Sequence, residues 1–316
     1  MVLFLRRTKK KLSVVCVALL CAAGVSFGDT GTSGWTIFRK IASAQPKSIA
    51  AIMPLQGDLS GVLYNPAALG GRRKSELFFV SESGLADDRL GAALYSFPAG
   101  DGTLAAGFAY YDAGMMELNW LEGGQLVSDS VSAQKDMLGV ISYGRRFTGR
   151  LALGASMKIA SSEIAQRSSA LSGAIDAGLI YEAAKNVPVS VAVQNVGIAT
   201  KFVDKENPLP TAVYFGGGYR QAARNSYVLS GVGVTYNITD ATLVPDAGIE
   251  LGYDFISVNL GYRLANSDAA LHCGLGLKAG VIEFGYAFSP AAYLNSAHRF
   301  NVTYKFAPAK KKIKSR

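Results

Sequence analysis

The chain has 316 residues, 49% of them hydrophobic and 17% charged, with a mean hydropathy of +0.20. After the first thirty positions no apolar run reaches the roughly 20 residues that a membrane-spanning helix needs, which excludes a polytopic helical membrane protein, and 35 glycines with so little charge exclude a solvated disordered chain. The net charge of +9 is no nucleic-acid signature: ten of the 32 basic residues and none of the 23 acidic ones sit in two terminal segments, so the body is nearly neutral.

In chain order, residues 1–28 read as a secretory signal peptide. Arg6, Arg7, Lys9, Lys10 and Lys11 precede the apolar stretch LSVVCVALLCAAGVSFG, which ends in small residues with Gly28 at the cleavage point; an uncleaved anchor is the alternative. Removal of the leader takes Cys16 and Cys21 with it and leaves Cys273 alone, so a device other than a disulfide must hold the exported fold. Residues 29–72 mix small residues and loop formers without a clean period. Residues 73–306 are a long series of two-residue alternations, and 307–316 form a basic tail.

The alternation predicts strands with one greasy and one polar face. In 150–160, Leu151, Leu153, Met157 and Ile159 oppose Gly154, Ser156 and Lys158. In 171–182, Leu171, Ile175, Leu179 and Tyr181 oppose Ser172, Asp176 and Glu182. In 244–263, Ile249, Leu251, Val258 and Leu260 oppose Gly248, Glu250, Asn259 and Gly261. In 279–306, Phe284, Tyr286, Phe300, Val302 and Tyr304 oppose Glu283, Gly285, Arg299, Asn301 and Thr303. The polar faces are mostly Gly, Ala, Ser and Asn, which suit a crowded interior. Tyr143, Phe147, Tyr181, Tyr253, Tyr262, Tyr304 and Phe306 fall near strand ends, where membrane girdles belong. The fold class expected is all-β: a transmembrane antiparallel β-barrel. It is closed, because every backbone polar group within hydrocarbon needs an internal partner.

Catalytic and metal chemistry have little to stand on. His272 and His298 are the two histidines, and neither lies in an obvious Ser–His element; with one cysteine outside the leader they make no zinc set. The expectation is a protein that is no enzyme and carries no metal or cofactor.

Four segments resemble the PorV/PorQ-like outer-membrane proteins within the FadL-like barrel superfamily. GDLSGVLYNPAALGG at 57–71 resembles their N-terminal signature, on Asp58, Tyr64, Asn65, Pro66, Ala67 and Leu69. Residues 154–182 are similar to a strand–loop–strand with Lys158 and Asp176-Ala177-Gly178. VAVQNVG at 191–197, holding Gln194 and Asn195, and NPLPTAVYFGGGYR at 207–220 resemble a further passage, and 285–306 a last hairpin with His298-Arg299. Similar barrels occur as uncharacterised spirochaete proteins. IAAIMPLQG at 49–57 departs from the pattern, as does the tail after Phe306, where an aromatic residue usually ends the chain for the assembly machinery.

The resemblance implies about fourteen strands, with residues 29–72 folded inside as a plug. Pro66, with its fixed φ, and Asn65 before it make a stiff turn into the wall, and Asp58 and Asn65 are expected to tie plug backbone to it. Lys158, Asp176, Gln194, Asn195, Glu250, Arg263, Glu283 and Arg299 are expected as polar lumen residues, the acids pairing with Lys158, Arg263 or Arg299. The implied setting is the cell outer membrane, with the lipid bilayer, the barrel assembly machinery and a hydrophobic, fatty-acid-like ligand as partners. An attachment platform for an exported protein partner is the alternative.

Overall fold

The computed structural model describes residues 34–43, 59–202, 207–264, 270–291 and 293–306. The leader at 1–28, Asp58 and the tail at 307–316 lie outside them. The strands are β1 (Glu76–Ser83), β2 (Arg89–Ala99), β3 (Gly102–Asp112), β4 (Met115–Glu122), β5 (Gln125–Ser132), β6 (Gln134–Arg146), β7 (Leu151–Ile164) and β8 (Ser168–Ala184). They continue as β9 (Val187–Ala199), β10 (Ala212–Ala222), β11 (Ser226–Asn237), β12 (Thr242–Tyr253), β13 (Ile256–Arg263), β14 (Leu271–Ala279), β15 (Ile282–Ser289) and β16 (Ala297–Lys305).

Fourteen of these strands close into one antiparallel barrel in which chain neighbours are sheet neighbours. The seam is β1 against β16, paired from Glu76 with Lys305 to Ser83 with His298. Closure removes the edges that an open sheet would leave unpaired in lipid. β4 and β5 pair with each other as a separate hairpin outside the barrel, a departure from the even run of wall strands that 73–306 suggested. Period-two alternation is common to any hairpin and does not say whether that hairpin joins a wall.

The faces are sorted as the alternation requires. Phe79, Phe108, Ile141, Met157, Ile175, Val258, Leu260, Phe284 and Phe300 point outward and are exposed, while Ser142, Ser156, Lys158, Asp176, Glu250, Asn259 and Arg299 on the same strands are buried inside. Aromatics ring both ends. Tyr95, Phe147, Tyr181, Tyr253 and Tyr304 are exposed at one, and Tyr236 and Tyr262 at the other. A closed wall with apolar outer residues and aromatic girdles is the exterior of a membrane barrel.

The two ends differ. At the end holding Glu76 and Lys305, connections are tight: 100–101, 185–186, 254–255 and 280–281. Each uses a residue with positive φ, such as Gly100 at 58° and Gly280 at 62°. At the other end lie the longer connections 84–88, 200–211, 264–270 and 290–296, and the β4–β5 hairpin. Outer-membrane barrels carry short turns on the periplasmic side and long loops outside, which orients the molecule.

Helix α1 (Thr36–Ser43) and two 3-10 turns, Leu59–Leu63 and Pro66–Leu69, lie within the bore. Trp35, Ile37 and Phe38 of the first segment and Leu59, Val62, Leu63 and Leu69 of the second pack with inward Phe78, Val80, Leu90, Leu94, Leu138 and Val140 in one apolar cluster.

Candidate functional site

The bore has two unlike halves. On the side of β1–β3 and β6–β8 it is filled by the luminal segments. On the side of β10–β16 the wall is polar and rich in glycine, and a cavity of about 460 Å³ opens toward the short-turn end, lined by Ser257, Gly276, Gly285, Asn301 and Thr303 with Ser60 and Phe78 facing them.

Asn65 fixes the luminal segment to the wall. Its side chain is fully buried. Its Nδ2 lies 3.1 Å from the Leu179 carbonyl, 2.9 Å from Ser190 Oγ and 3.0 Å from the Val191 carbonyl. Its Oδ1 accepts from the Ala67 amide at 2.9 Å, capping the turn that Pro66 begins. Gln194 donates to the Tyr64 carbonyl at 2.7 Å, and the Tyr64 ring meets Tyr214 edge-on at 5.0 Å. Glycines on the wall make this approach possible: a Cβ at Gly178 would strike the Asn65 amide, and one at Gly154 would strike the Pro66 backbone. Leu69 and Ala67 are buried in the same turn.

Helix α1 is braced from several sides near the long-loop end. The Asp136 carboxylate of β6 accepts from the Ile37 amide at 3.2 Å, at the helix N-terminus where a negative charge is favoured. Arg39 pairs with Asp240 at 3.1 Å, beyond β11. Lys40 reaches Glu82 at 3.5 Å and also contacts Asp88. Glu82 in turn accepts from Arg299 Nε at 2.6 Å, Arg299 donates to Ser289 Oγ at 2.9 Å, and Ser289 Oγ lies 2.6 Å from His272 Nδ1. A buried chain of polar groups thus runs from the helix into the β14–β16 wall.

Lys158, Asp176 and Asn195 come together as one unit. Lys158 Nζ is 2.6 Å from Asp176 and 2.9 Å from Asn195 Oδ1, and Asp176 accepts from the Asn195 amide at 2.8 Å. A register shift between β8 and β9 at Ile175 and Ala177 places both Gln194 and Asn195 on the inner face, with Asn195 at a φ of 57°. Other pairings differ from the expectation. Glu250 accepts from the Tyr227 hydroxyl, which lies over Gly252 where no side chain competes. Glu283 pairs with Lys305 at 2.7 Å and Lys278 at 3.3 Å, both nearer the turn than Arg263 or Arg299. Arg299 takes Glu82, and Arg263 stands opposite Asp246 in the register.

The contact of His272 with Ser289 was not readable in the chain, since the two residues meet only across a strand pair. Glu82 and Lys40 were likewise missed: Glu82 shares the inner face of its strand with Phe78 and Val80, and Lys40 lies on a short helix in a segment without a clean period. His298 lies outward, hydrogen-bonded to the Tyr286 hydroxyl at 2.8 Å. Among the described residues no cluster of three metal-ligating side chains occurs.

No family model matches the chain, and no curated protein matches it in sequence. Solved structures do match. The chain is similar to the toluene transporter TodX of Pseudomonas putida, with a TM-score of 0.53 and 12% identity over 89% of this chain and 98% of that one. It is also similar to the toluene transporter TbuX of Ralstonia pickettii, with a TM-score of 0.52 and 14% identity over 79% of this chain and 94% of that one. This likeness is one of fold: an outer-membrane β-barrel. The narrower resemblance to PorV/PorQ-like proteins has no support from these sequence comparisons.

Proposed function

We propose that the protein carries hydrophobic small molecules, such as long-chain fatty acids, inward across the outer membrane. The observation that carries this reading is the division of the bore, half filled by a braced luminal plug and half left as a cavity beside it. The structurally similar TodX and TbuX, named as toluene transporters, support the class of cargo. A plugged bore excludes ions and bulk water. Cargo enters at the long-loop end, passes α1 where its ion pairs yield, and leaves after a shift of the plug or through the wall.

The test is uptake of radiolabelled oleate and toluene by lipopolysaccharide-bearing cells that express the protein and lack other hydrophobic channels. Uptake above that of cells with an empty vector is expected, and a rate changed by K40M with R39M, which releases the helix. Uptake no faster than the empty-vector control overturns the reading. A second reading, a platform for an exported protein partner, is favoured by the β4–β5 hairpin, where Met115, Leu121 and Leu126 are exposed beyond the barrel. A stoichiometric protein partner lost on deleting 115–132, with no uptake, selects it.

A further inference from the structure

The open wall of the bore carries an unusual arrangement of side chains. One hydrogen-bonded row runs Tyr227, Gly252, Ser257, Gly276, Gly285, Asn301 from β11 to β16. Polar residues and glycines share it, and the polar side chains lie flat across the glycines. A Cβ at Gly252 would strike the Tyr227 ring, one at Gly276 the Ser257 hydroxyl, and one at Gly285 the Asn301 amide. In the next row Asn259 lies across Gly274 in the same way. The glycines therefore keep a polar wall thin and the bore open.

Several of these groups lack an internal partner. Both side-chain atoms of Asn259, Oδ1 of Asn301 and Nε2 of His272 are buried without a hydrogen bond among the described residues. Asn259 is 2% exposed, and Asn301 and His272 are 8% exposed. Leaving such a group unpaired is costly, so native folds seldom keep one without a use. The three stand in successive rows. Asn301 shares the row of Ser257, Asn259 is two residues further along β13, and His272 pairs with Gly261, two further again. They lie on different strands: Asn301 on β16 is three strands from Asn259 on β13, about 14 Å across the wall, with His272 on β14. Of the three, Asn301 lines the cavity, with Ser257 and Thr303 beside it.

We infer that Asn301, with Ser257 and Thr303, is a binding site for the hydroxyl end of an otherwise apolar molecule, an alcohol or a phenol, and that cargo of this class is held in preference to plain hydrocarbon. A neutral hydroxyl both donates and accepts, as each amide does. An anionic head fits less well beside Asn301, because the cations next to it are taken by acids, Lys305 by Glu283 and Arg299 by Glu82, while Arg220 and Arg224 line the cavity on the far side, at β10 and the turn after it. Phe78, on the opposite side of the cavity, gives the apolar body a surface. A site built to hydrogen-bond a hydroxyl discriminates strongly against the analogue that lacks it, because its own polar groups are then left unpaired.

The inference rests on the transport reading, and its test is a binding measurement independent of uptake. Equilibrium dialysis compares p-cresol with p-xylene, which differ by hydroxyl against methyl, on the full protein in nanodiscs with empty discs subtracted. Wild type is expected to hold p-cresol about tenfold tighter or more. N301A is expected to lose about tenfold for p-cresol and to leave p-xylene unchanged. G285A, whose added methyl pushes the Asn301 amide off the wall, is expected to change p-cresol retention alone. Heat-modifiable gel migration confirms that each variant is a closed barrel. Equal retention of both probes by wild type, or parallel losses of both in the variants, overturns the inference. Loss of hydroxyl preference with cellular uptake intact sinks this inference alone, whereas preference intact with no uptake sinks the transport reading.

Discussion

At the scale of single residues, Lys158 and Asp176 form a buried ion pair in the wall. Both side chains are almost fully enclosed, and Asn195 satisfies a remaining valence of each. Removing one partner of such a pair leaves an uncompensated charge and typically costs about 3–5 kcal/mol, whereas replacing both by apolar residues is often neutral. D176N and K158M are each expected to lower the midpoint of urea unfolding in lipid by an amount of that size, and K158M with D176L to recover most of it. Equal losses in the double and single variants would show that the pair matters through Asn195 and the bulge instead. Lys158 and Asp176 could be placed inside from the alternation alone, because each falls among small residues opposite Met157 and Ile175. Asn195 could not be given its role that way. The bulge inserts one residue, turning Gln194 and Asn195 to the same face, and two-residue periodicity cannot anticipate where a strand breaks step.

At the scale of elements, the fit between the Pro66–Leu69 turn and strands β6–β8 explains why glycines recur on those strands. Gly144, Gly154 and Gly178 stand where Leu69, Pro66 and Asn65 approach the wall. G178A would drive a methyl into the Asn65 amide, which already serves Leu179, Ser190 and Val191. The expected outcome is an undocked luminal segment within an intact barrel. Limited proteolysis should then cut 59–71 at least several times faster, while heat-modifiable migration stays normal; unchanged cleavage would mean that the turn is held elsewhere. The stiff turn itself was legible in Asn65-Pro66, from the fixed φ of proline and the capping chemistry of asparagine. Its partners were not, because glycines of a crowded wall look alike in the chain and the one that admits a particular turn lies a hundred residues away. Helix α1 was hidden for a related reason: it is short, and its ends are held by Asp136, Asp240 and Glu82 from remote elements instead of by its own neighbours.

At the scale of the whole molecule, the outward belt decides what the barrel is for. A β-protein that folds in water turns its apolar face inward, but here Phe79, Ile141, Ile175, Val258, Leu260 and Phe300 are exposed while the polar side chains of the same strands are enclosed. Such a surface is stable against acyl chains and a liability in buffer. Depth within the bilayer then becomes measurable on one strand. Phe300 lies near the middle of β16, and Tyr304 lies beside Lys305 at its short-turn end. Arginine on the lipid face costs about 2–4 kcal/mol at the midplane and about 0–1 near the interface. F300R is therefore expected to destabilise the refolded protein by the larger amount and Y304R by the smaller, read as the difference in urea midpoints in phospholipid vesicles. In a sheet that met water along its whole length, the two substitutions would cost nearly the same. Equal effects would remove the bilayer from the outer face, and with it the reason for closing the wall around a braced interior.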